Sequence, residues 1–504
     1  MKSVGILLAA SSIVLAQDYR ARVQGLVTDS TNAAVVGAKV TLRNINTGID
    51  AVKDSGETGQ YLFDFVEPGT YVVSAELTGF SKAVQENVLV QTRADVTVNF
   101  SLKPGQLVET VNVTASAVTL QFNTSTRELT VDRKMLMDLP VKARNPFTLA
   151  LLDPAVVNRY STAFDRNPFF MWSSSSIDVG GSTSRKNDLL LDGAPLQLGP
   201  KGSYAPPMDA VQEFSVQQNS VDAEFGHTAG GVLSLAVKSG TNEYHGSAYY
   251  FGRNPVFNAL TNSVTRRANF SRNHIWGGTV GGPIRKNKLF TFTSYEGWKT
   301  KEPASTIRTL PTALERTGDF SQSRNIAGGL RTVYDPWTSV LNTAANTGTR
   351  QPFAGNRIPL SRQDAVSQKI MKDIWEPNGP GDDITGVNNY KTSYFWFIEN
   401  WNFNNRTDWN ISDRWKLFGR YSRLRTDLDQ INYTPNNSRA MPNDNGGLMN
   451  SRNIAADTVY TINATTILNL RGSFASLEDD YNAPREAVGE KGLAEFWPSA
   501  WYKP

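Results

Sequence analysis

Along residues 402–410 every second side chain, Asn402, Asn404, Arg406, Asp408 and Asn410, is strongly polar, while Phe403, Trp409 and Ile411 stand on the opposite parity. A period of two belongs to a β-strand, whose successive side chains point to opposite faces. The period recurs in Trp415, Leu417, Gly419 and Tyr421 against Lys416, Phe418, Arg420 and Ser422. It recurs again in Leu468, Leu470, Gly472 and Phe474 against Asn469, Arg471 and Ser473. Two architectures fit such strands. A soluble antiparallel sandwich buries the apolar face, whereas a membrane barrel turns it to lipid and its polar face to a wet lumen. Helical spanning is excluded, because the chain has no internal run of 18 apolar residues and its mean hydropathy is −0.37.

Composition points the same way. The 39 glycines and the aromatic set of 24 Phe, 17 Tyr and 11 Trp form a strand-and-turn vocabulary. A net charge of +4, spread over 51 basic and 47 acidic residues without a basic cluster, argues against a nucleic-acid partner. Cysteine is absent, so neither disulfides nor thiolate metal sites hold any part together. Lys2 followed by the short apolar run Val4 to Leu15, with small residues before Gln17, reads as a signal peptide over residues 1–16.

The first module expected is a β-sandwich over residues 20–104. Strand-like runs at 22–28, 38–44, 60–65, 70–77, 82–90 and 95–102 are separated by turn residues. Tyr71, Val73, Ala75 and Leu77 share one parity, as do Val96, Val98, Phe100 and Leu102, and the two faces could close a small core. A linker over 105–115 follows, containing the β-prone run Leu107 to Ala115, an isolated strand open to capture by another sheet edge. Residues 116–240 read as short helices at 133–139 and 145–152, a Ser-rich loop at 161–176, and short strands at 177–181, 188–195 and 208–216. Within Val221 to Phe251 the texture changes. Leu233, Leu235 and Val237 alternate as in a half-buried strand ahead of a turn at Ser239-Gly240-Thr241-Asn242, and the aromatic run Tyr244 to Phe251 opens the strand-rich remainder, 241–504. Thr300 to Lys391 reads as a long surface loop with one short helix, 362–375.

Several of these stretches resemble known families. Val23-Gln24-Gly25-Leu26-Val27-Thr28-Asp29, Gly37-Ala38-Lys39-Val40-Thr41-Leu42, Gly59-Gln60-Tyr61-Leu62-Phe63, Pro68-Gly69-Thr70-Tyr71 and Gly79-Phe80 resemble the carboxypeptidase regulatory-like domain. That family has a transthyretin-like, carbohydrate-binding-like β-sandwich and is not catalytic. Asp188 to Pro195, Met208 to Val216, Glu224-Phe225-Gly226 and Gly230-Gly231, in that order, resemble the plug of TonB-dependent receptors. The likeness continues through His245 to Phe251, Gly277 to Pro283, Phe290 to Gly297, Gly318-Asp319-Phe320, Tyr334-Asp335-Pro336 and Phe353 to Pro359, the pattern of the Oar-like branch of those receptors. Within the linker, Glu109, Thr110, Val111, Asn112 and Val113 resemble the TonB box, by which such receptors are pulled by an energised inner-membrane partner.

The fold class expected is therefore mainly β: an N-terminal sandwich, an α+β plug domain and a partial antiparallel transmembrane β-barrel. Plugged transporters of this kind have about 22 strands of roughly ten residues each, and the 261 residues from Tyr244 to Pro504 hold about eight. The chain thus reads as the N-terminal part of a longer receptor. The resemblance implies an outer-membrane transporter with its N-terminal domain in the periplasm. It also implies TonB with its energising complex and outer-membrane lipid as partners, and a bulky ligand such as an oligosaccharide. The alternative is a cell-surface carbohydrate-binding or adhesive protein without transport. No catalytic constellation, cofactor motif or metal site is visible. His227, His245 and His274 stand apart, Gly180 to Ser184 lacks the last glycine of a nucleophile elbow, and Gly277 to Gly282 lacks the Lys-Ser/Thr ending of a phosphate loop. Asp382-Asp383 and Asp479-Asp480 sit in loop-like sequence.

Overall fold

The computed structural model describes residues 18–105, 110–112, 127–139, 141, 144–158, 177–182, 186–198, 201–218, 228, 230–257, 270–428, 435, 438, 446–463, 466–482 and 494–498. The expected signal peptide, the Ser-rich loop at 161–176, the Glu224 to Gly226 corner, His227, Glu109, Val113 and the last residues from Ala500 lie outside these. No helix among the described residues is long and apolar enough to cross a membrane.

The N-terminal module has nine strands: β1 (Ala21–Asp29), β2 (Lys39–Asn44), β3 (Asp50–Asp54), β4 (Gln60–Val66), β5 (Gly69–Glu76), β6 (Lys82–Val90), β7 (Asp95–Thr97), β8 (Phe100–Leu102) and β9 (Thr110–Asn112). One sheet sets β1 between antiparallel β4 and the parallel pair β7 and β8; the other runs β3-β2-β5-β6-β9. Tyr71, Val73 and Ala75 meet Val96, Val98, Phe100 and Leu102 in one core with Tyr61 and Phe63, while Leu77 packs only at its margin. Each fully buried aliphatic or Phe side chain there contributes about 1.5–3 kcal/mol. Two details differ from the sequence reading. β3 escapes it because its five residues, three of them charged, form a polar edge with no buried face. The expected strand 95–102 divides because Val98 turns to β1, donating its N–H to the Gln24 carbonyl and accepting the Tyr61 hydroxyl on its own.

The middle unit comprises β10 (Arg127–Val131), the helix Arg133–Asp138, a 3-10 helix Pro146–Leu152, β11 (Val156–Asn158), β12 (Ile177–Val179), β13 (Asp188–Leu191), β14 (Ala194–Pro195), β15 (Gln197–Leu198), β16 (Lys201–Gly202), β17 (Val211–Gln218) and β18 (Val232–Val237). Asp132 caps the α-helix by accepting the Met135 N–H, and Asn145 caps the 3-10 helix by accepting that of Phe147. Its main sheet runs β10-β17-β18-β13-β14. Met208–Ala210, expected within a strand, is a 3-10 turn, and the strand starts at Val211. All six residues of β18 are buried, against the half-buried strand expected. Leu233, Leu235 and Val237 enter the unit's own core, and Ala236, on the other parity, is covered by Tyr19 of the N-terminal module and Phe418 and Ala455 of the wall.

Among the described residues that wall is one antiparallel meander of seven strands: β19 (His245–Arg253), β20 (Arg272–Arg285), β21 (Leu289–Arg308), then, past a small hairpin β22 (Val340–Asn342) and β23 (Thr347–Thr349), β24 (Tyr390–Ser412), β25 (Trp415–Leu428), β26 (Gly446–Asn463) and β27 (Thr466–Asn482). Among the described residues β19 and β27 are its edges. The long strands enlarge the barrel part at the expense of the expected loop. Residues 300–308 extend β21 by pairing with the start of β24, Ile307 opposite Lys391, so the loop spans only 309–389. Lys301 to Arg308 lacks an apolar parity, which hid it. The loop holds two α-helices, Ala313–Arg316 with a Thr312–Glu315 capping box and Ala365–Asp373 capped by Asp364, in place of one helix over 362–375. Asp479 and Asp480 sit in β27, not in a loop. Tyr421, Leu468, Leu470 and Phe474 are exposed on the outer face, whereas Asn402, Asn404, Arg406, Arg420 and Ser422 are buried on the inner one.

Candidate functional site

The middle unit sits against the inner face of the wall, and their contact is built from polar groups of the sequence's most regular polar parity. Leu191-Asp192-Gly193-Ala194 is a two-residue hairpin joining β13 to β14, with φ of 48° at Asp192 and 72° at Gly193. An Asp-Gly pair favours such a left-handed turn because Gly has no Cβ and Asp tolerates it. The turn delivers the Asp192 carboxylate, 0 % exposed, to two guanidiniums of the wall. Arg406 on β24 donates to one oxygen at 3.0 Å and Arg420 on β25 donates to the other at 3.0 Å, while the Val237 N–H donates to the first at 2.9 Å. Arg406 reaches further, to Asp408 at 2.8 Å and to the Val237 carbonyl at 3.3 Å. A buried carboxylate between two arginines balances the desolvation of all three charges, which singly would cost several kcal/mol each.

A second contact centres on Glu296 of β21, 1 % exposed. It accepts from Arg144 at 2.9 Å, from the Tyr249 hydroxyl at 2.9 Å and from the Trp298 indole at 3.0 Å. Arg144, which has a positive φ, also pairs with Asp209, whose backbone carbonyl accepts from Lys238. Burial, together with the nearby Arg133, pulls the Lys238 ammonium down to about 8. A third contact is uncharged. The Tyr204 hydroxyl donates to the Asn402 side chain at 2.7 Å, and Asn402 donates back to the Ala205 carbonyl at 2.8 Å. Apolar packing continues across the same boundary, where Ile275, Phe292, Trp298, Leu424 and Met449 of the wall join the unit's core. A body held this way is fixed by ion pairs, one uncharged hydrogen-bonded pair and apolar packing.

Of the box-like residues 109–113, Thr110–Asn112 are described, and they form β9. β9 runs parallel to β6, with Thr110 opposite Lys82, Val111 opposite Ala83 and Asn112 opposite Val84. The expectation of an isolated strand is thus corrected: β6 would otherwise leave a row of backbone groups unpaired, and the nearby linker supplies partners for them. His245 and His274 are exposed on β19 and β20, where His274 Nδ1 lies 2.6 Å from the Tyr250 hydroxyl. The alternating pattern made Arg406 and Asn402 legible as inner-face residues. Asp192 was missed as a contact, although an Asp-Gly pair after an apolar run was its signal, and nothing local marks Arg144 or Glu296 as partners 152 residues apart.

Residues 22–103 match the carboxypeptidase regulatory-like domain and residues 236–502 match the outer membrane beta barrel domain. The chain is 24% identical over 397 residues to the TonB-dependent transporter Oar of Myxococcus xanthus, an alignment covering 72% of this chain and 36% of that protein. The siderophore receptor PirA from Acinetobacter baumannii aligns with a TM-score of 0.39 at 14% identity, over 70% of this chain and 40% of the other. The outer membrane transporter YddB from Escherichia coli aligns at 0.41 and 11% identity, over 70% and 39%. The chain spans about a third of the length of the curated relative it matches. With more than half its residues in the matched segment 236–502, the chain belongs to the outer membrane β-barrel domain family and is a homologue of a TonB-dependent transporter.

Proposed function

We propose that the protein works as a TonB-dependent outer-membrane transporter, in which the middle unit is the plug and its displacement opens a path for a bulky ligand. The observation that carries this reading is the seat of Asp192 between Arg406 and Arg420: a folded body fills the polar side of an outer-membrane wall and is held there by a small set of ion pairs. Homology to the Myxococcus xanthus transporter supports the same reading. Glu109, Thr110, Val111, Asn112 and Val113 are the contact for TonB, which would take Thr110–Asn112 as a strand, and the N-terminal sandwich faces the periplasm. An oligosaccharide is the ligand class that goes with a carbohydrate-binding-like sandwich and a lumen rich in Asn, Ser and Thr.

The test is uptake of fluorescently labelled oligosaccharides by cells expressing the full-length gene product, with and without residues 109–113, alongside membrane fractionation. Loss of uptake with unchanged outer-membrane yield is expected for the deletion. Uptake that survives it overturns the pulling mechanism, and outer-membrane protein that takes up a different ligand class but no oligosaccharide overturns the ligand assignment alone.

A further inference from the structure

The N-terminal sandwich is not a tethered bystander: it meets the plug and the wall at four separate places. Its turn at Ile45 to Gly48 sits on the plug-to-wall connection, where the Asn242 N–H donates to the Asn46 carbonyl at 3.1 Å and the Asn242 side chain donates to the Thr47 carbonyl. Asn242 also donates to Asn287, in the turn between β20 and β21, at 2.6 Å, and accepts the Asn287 N–H at 2.9 Å. The Thr92 N–H donates to Glu213 of the plug strand β17 at 2.9 Å. At the start of the module, Arg20 donates to Asp457 of β26 at 3.0 Å, and Arg471 of β27 bonds both Asp457 at 2.8 Å and Asp18 at 3.4 Å. In the β4–β5 turn, Glu67 pairs with Arg406 at 3.2 Å and accepts the Tyr19 hydroxyl at 2.7 Å, and Arg406 donates to that hydroxyl at 3.1 Å.

Arg406 is therefore shared. One buried guanidinium on the wall holds Asp192 of the plug and Glu67 of the sandwich at once. The sandwich brings carboxylates to wall groups in which basic side chains outnumber acidic ones. Among the described residues the wall supplies Arg406, Lys416, Arg420 and Arg471 against Asp408 and Asp457, the plug supplies Asp192, and the sandwich supplies Asp18 and Glu67 against Arg20. Removing the sandwich takes Glu67 from Arg406 and Asp18 from Arg471 and leaves the wall and plug groups with excess positive charge. A cleft of about 210 Å³ remains at this junction, bordered by Arg20, Glu67, Arg406 and Lys416. The strand β9 adds a mechanical link, because it pairs with β6 of the same sandwich. A pull on that strand loads the sandwich sheet before it reaches β10 of the plug.

We propose that the sandwich is a second bolt on the transport path: it locks the plug from the periplasmic side through the shared Arg406 and the Asn46–Asn242 contact, and it must undock before the plug can move. This rests on the transporter reading for the transport step, though not for the docking itself. These 504 residues hold no cysteine, so Asn46→Cys and Asn242→Cys introduce the only thiols among them, at residues whose backbones are already hydrogen-bonded, and any cysteine elsewhere in the full-length protein is first changed to serine. In the purified full-length protein the pair is expected to close into a disulfide under mild oxidation, about tenfold slower when Glu67→Gln and Asp18→Asn are added. Failure to close, with a control pair inside the sandwich closing normally, overturns the docking. In cells, the oxidised pair is expected to abolish uptake of the labelled oligosaccharides and a reductant to restore it. Uptake that continues in the cross-linked protein overturns the bolt and leaves the transporter reading intact. Absence of oligosaccharide uptake by the unmodified protein instead counts against the ligand assignment, and absence of uptake of every ligand class against the transporter reading, while the cross-linking arm still decides whether the sandwich docks. Should both forms of the cysteine pair be inactive, hydrogen exchange at the Asn242 amide decides: faster exchange in Glu67→Gln supports the bolt and unchanged exchange overturns it.

Discussion

The sandwich and the wall are written in the same two-residue period and use it in opposite senses. On β5 of the sandwich the buried parity is Tyr71, Val73 and Ala75; on β24 of the wall it is Asn400, Asn402, Asn404 and Arg406. Apolar residues leave water by turning inward in the first and outward in the second, where Leu468, Leu470 and Phe474 stand exposed on β27. The period therefore gives the strand and not the solvent. What distinguishes the two is which face has something to pack against: the sandwich closes its own second sheet, and the wall closes on the middle unit, whose surface carries Asp192, Arg144 and Tyr204.

That contrast can be broken most severely in the sandwich. Val73→Asp places a carboxylate in a core with no partner and is expected to cost about 4–5 kcal/mol, unfolding the module; limited proteolysis of the full-length protein would show cleavage within residues 20–104 with the wall still protected. Equal resistance to protease would mean that this core is not closed. The plug seat comes next. Asp192→Ala leaves Arg406 and Arg420 facing each other without their shared carboxylate, an expected loss of about 3–5 kcal/mol, read as plug release at lower urea concentration while the barrel stays folded. A loss much smaller than this would show that Asp408 and Glu67 suffice to hold the arginines.

On the outer face of the wall the sign should invert. Leu470→Arg is harmless on a surface in water, but is expected to cost up to about 2–4 kcal/mol in a bilayer, measured by denaturant titration of protein refolded into lipid vesicles. Indifference to the substitution would remove that face from the membrane.

The smallest effect concerns pH at the sandwich–plug contact. Burial, offset in part by the Thr92 N–H and reinforced by Glu128, lifts the Glu213 carboxyl to about 7. Asp132 adds to the same side, and the Arg93 guanidinium faces Glu128 across the contact. An acid whose docked value is raised favours the docked state below its free value and loses that support as pH climbs through about 7. Docking should therefore weaken from mildly acid to alkaline pH, by about 1.4 kcal/mol for each pH unit by which docking itself raises that carboxyl. The closing rate of the Asn46→Cys/Asn242→Cys disulfide, corrected for thiol ionisation, would report it, and Glu213→Gln should flatten the profile.

Much of the fold was legible because strands advertise themselves locally. β6 lies where turn residues and alternation put it, residues 82–90, and the inner parity of β24 was readable from Asn402 to Arg406 before any partner was known. The readings that failed did so where the local pattern is silent. Lys301 to Arg308 has no apolar parity and becomes a strand only by pairing with β24. Ser234 and Ala236 look like a solvent face until other parts of the chain cover them.

The sequence by itself determined the period, the polarity of each face and the strand propensity of the box-like segment, because each depends on near neighbours and backbone sterics alone, while the Asp-Gly turn at 192–193 divides what reads as a single strand over 188–195. Only the tertiary structure decided that Asp192 meets Arg406 and Arg420, that Glu67 shares the same guanidinium, and that Thr110–Asn112 pairs with β6. Those choices match charges and hydrogen-bonding edges across 28 to 339 residues of chain, and their energies exist only once burial has removed water from around them. The Val221 to Phe251 stretch shows both levels: its alternation was local, and the covering of its second face was not.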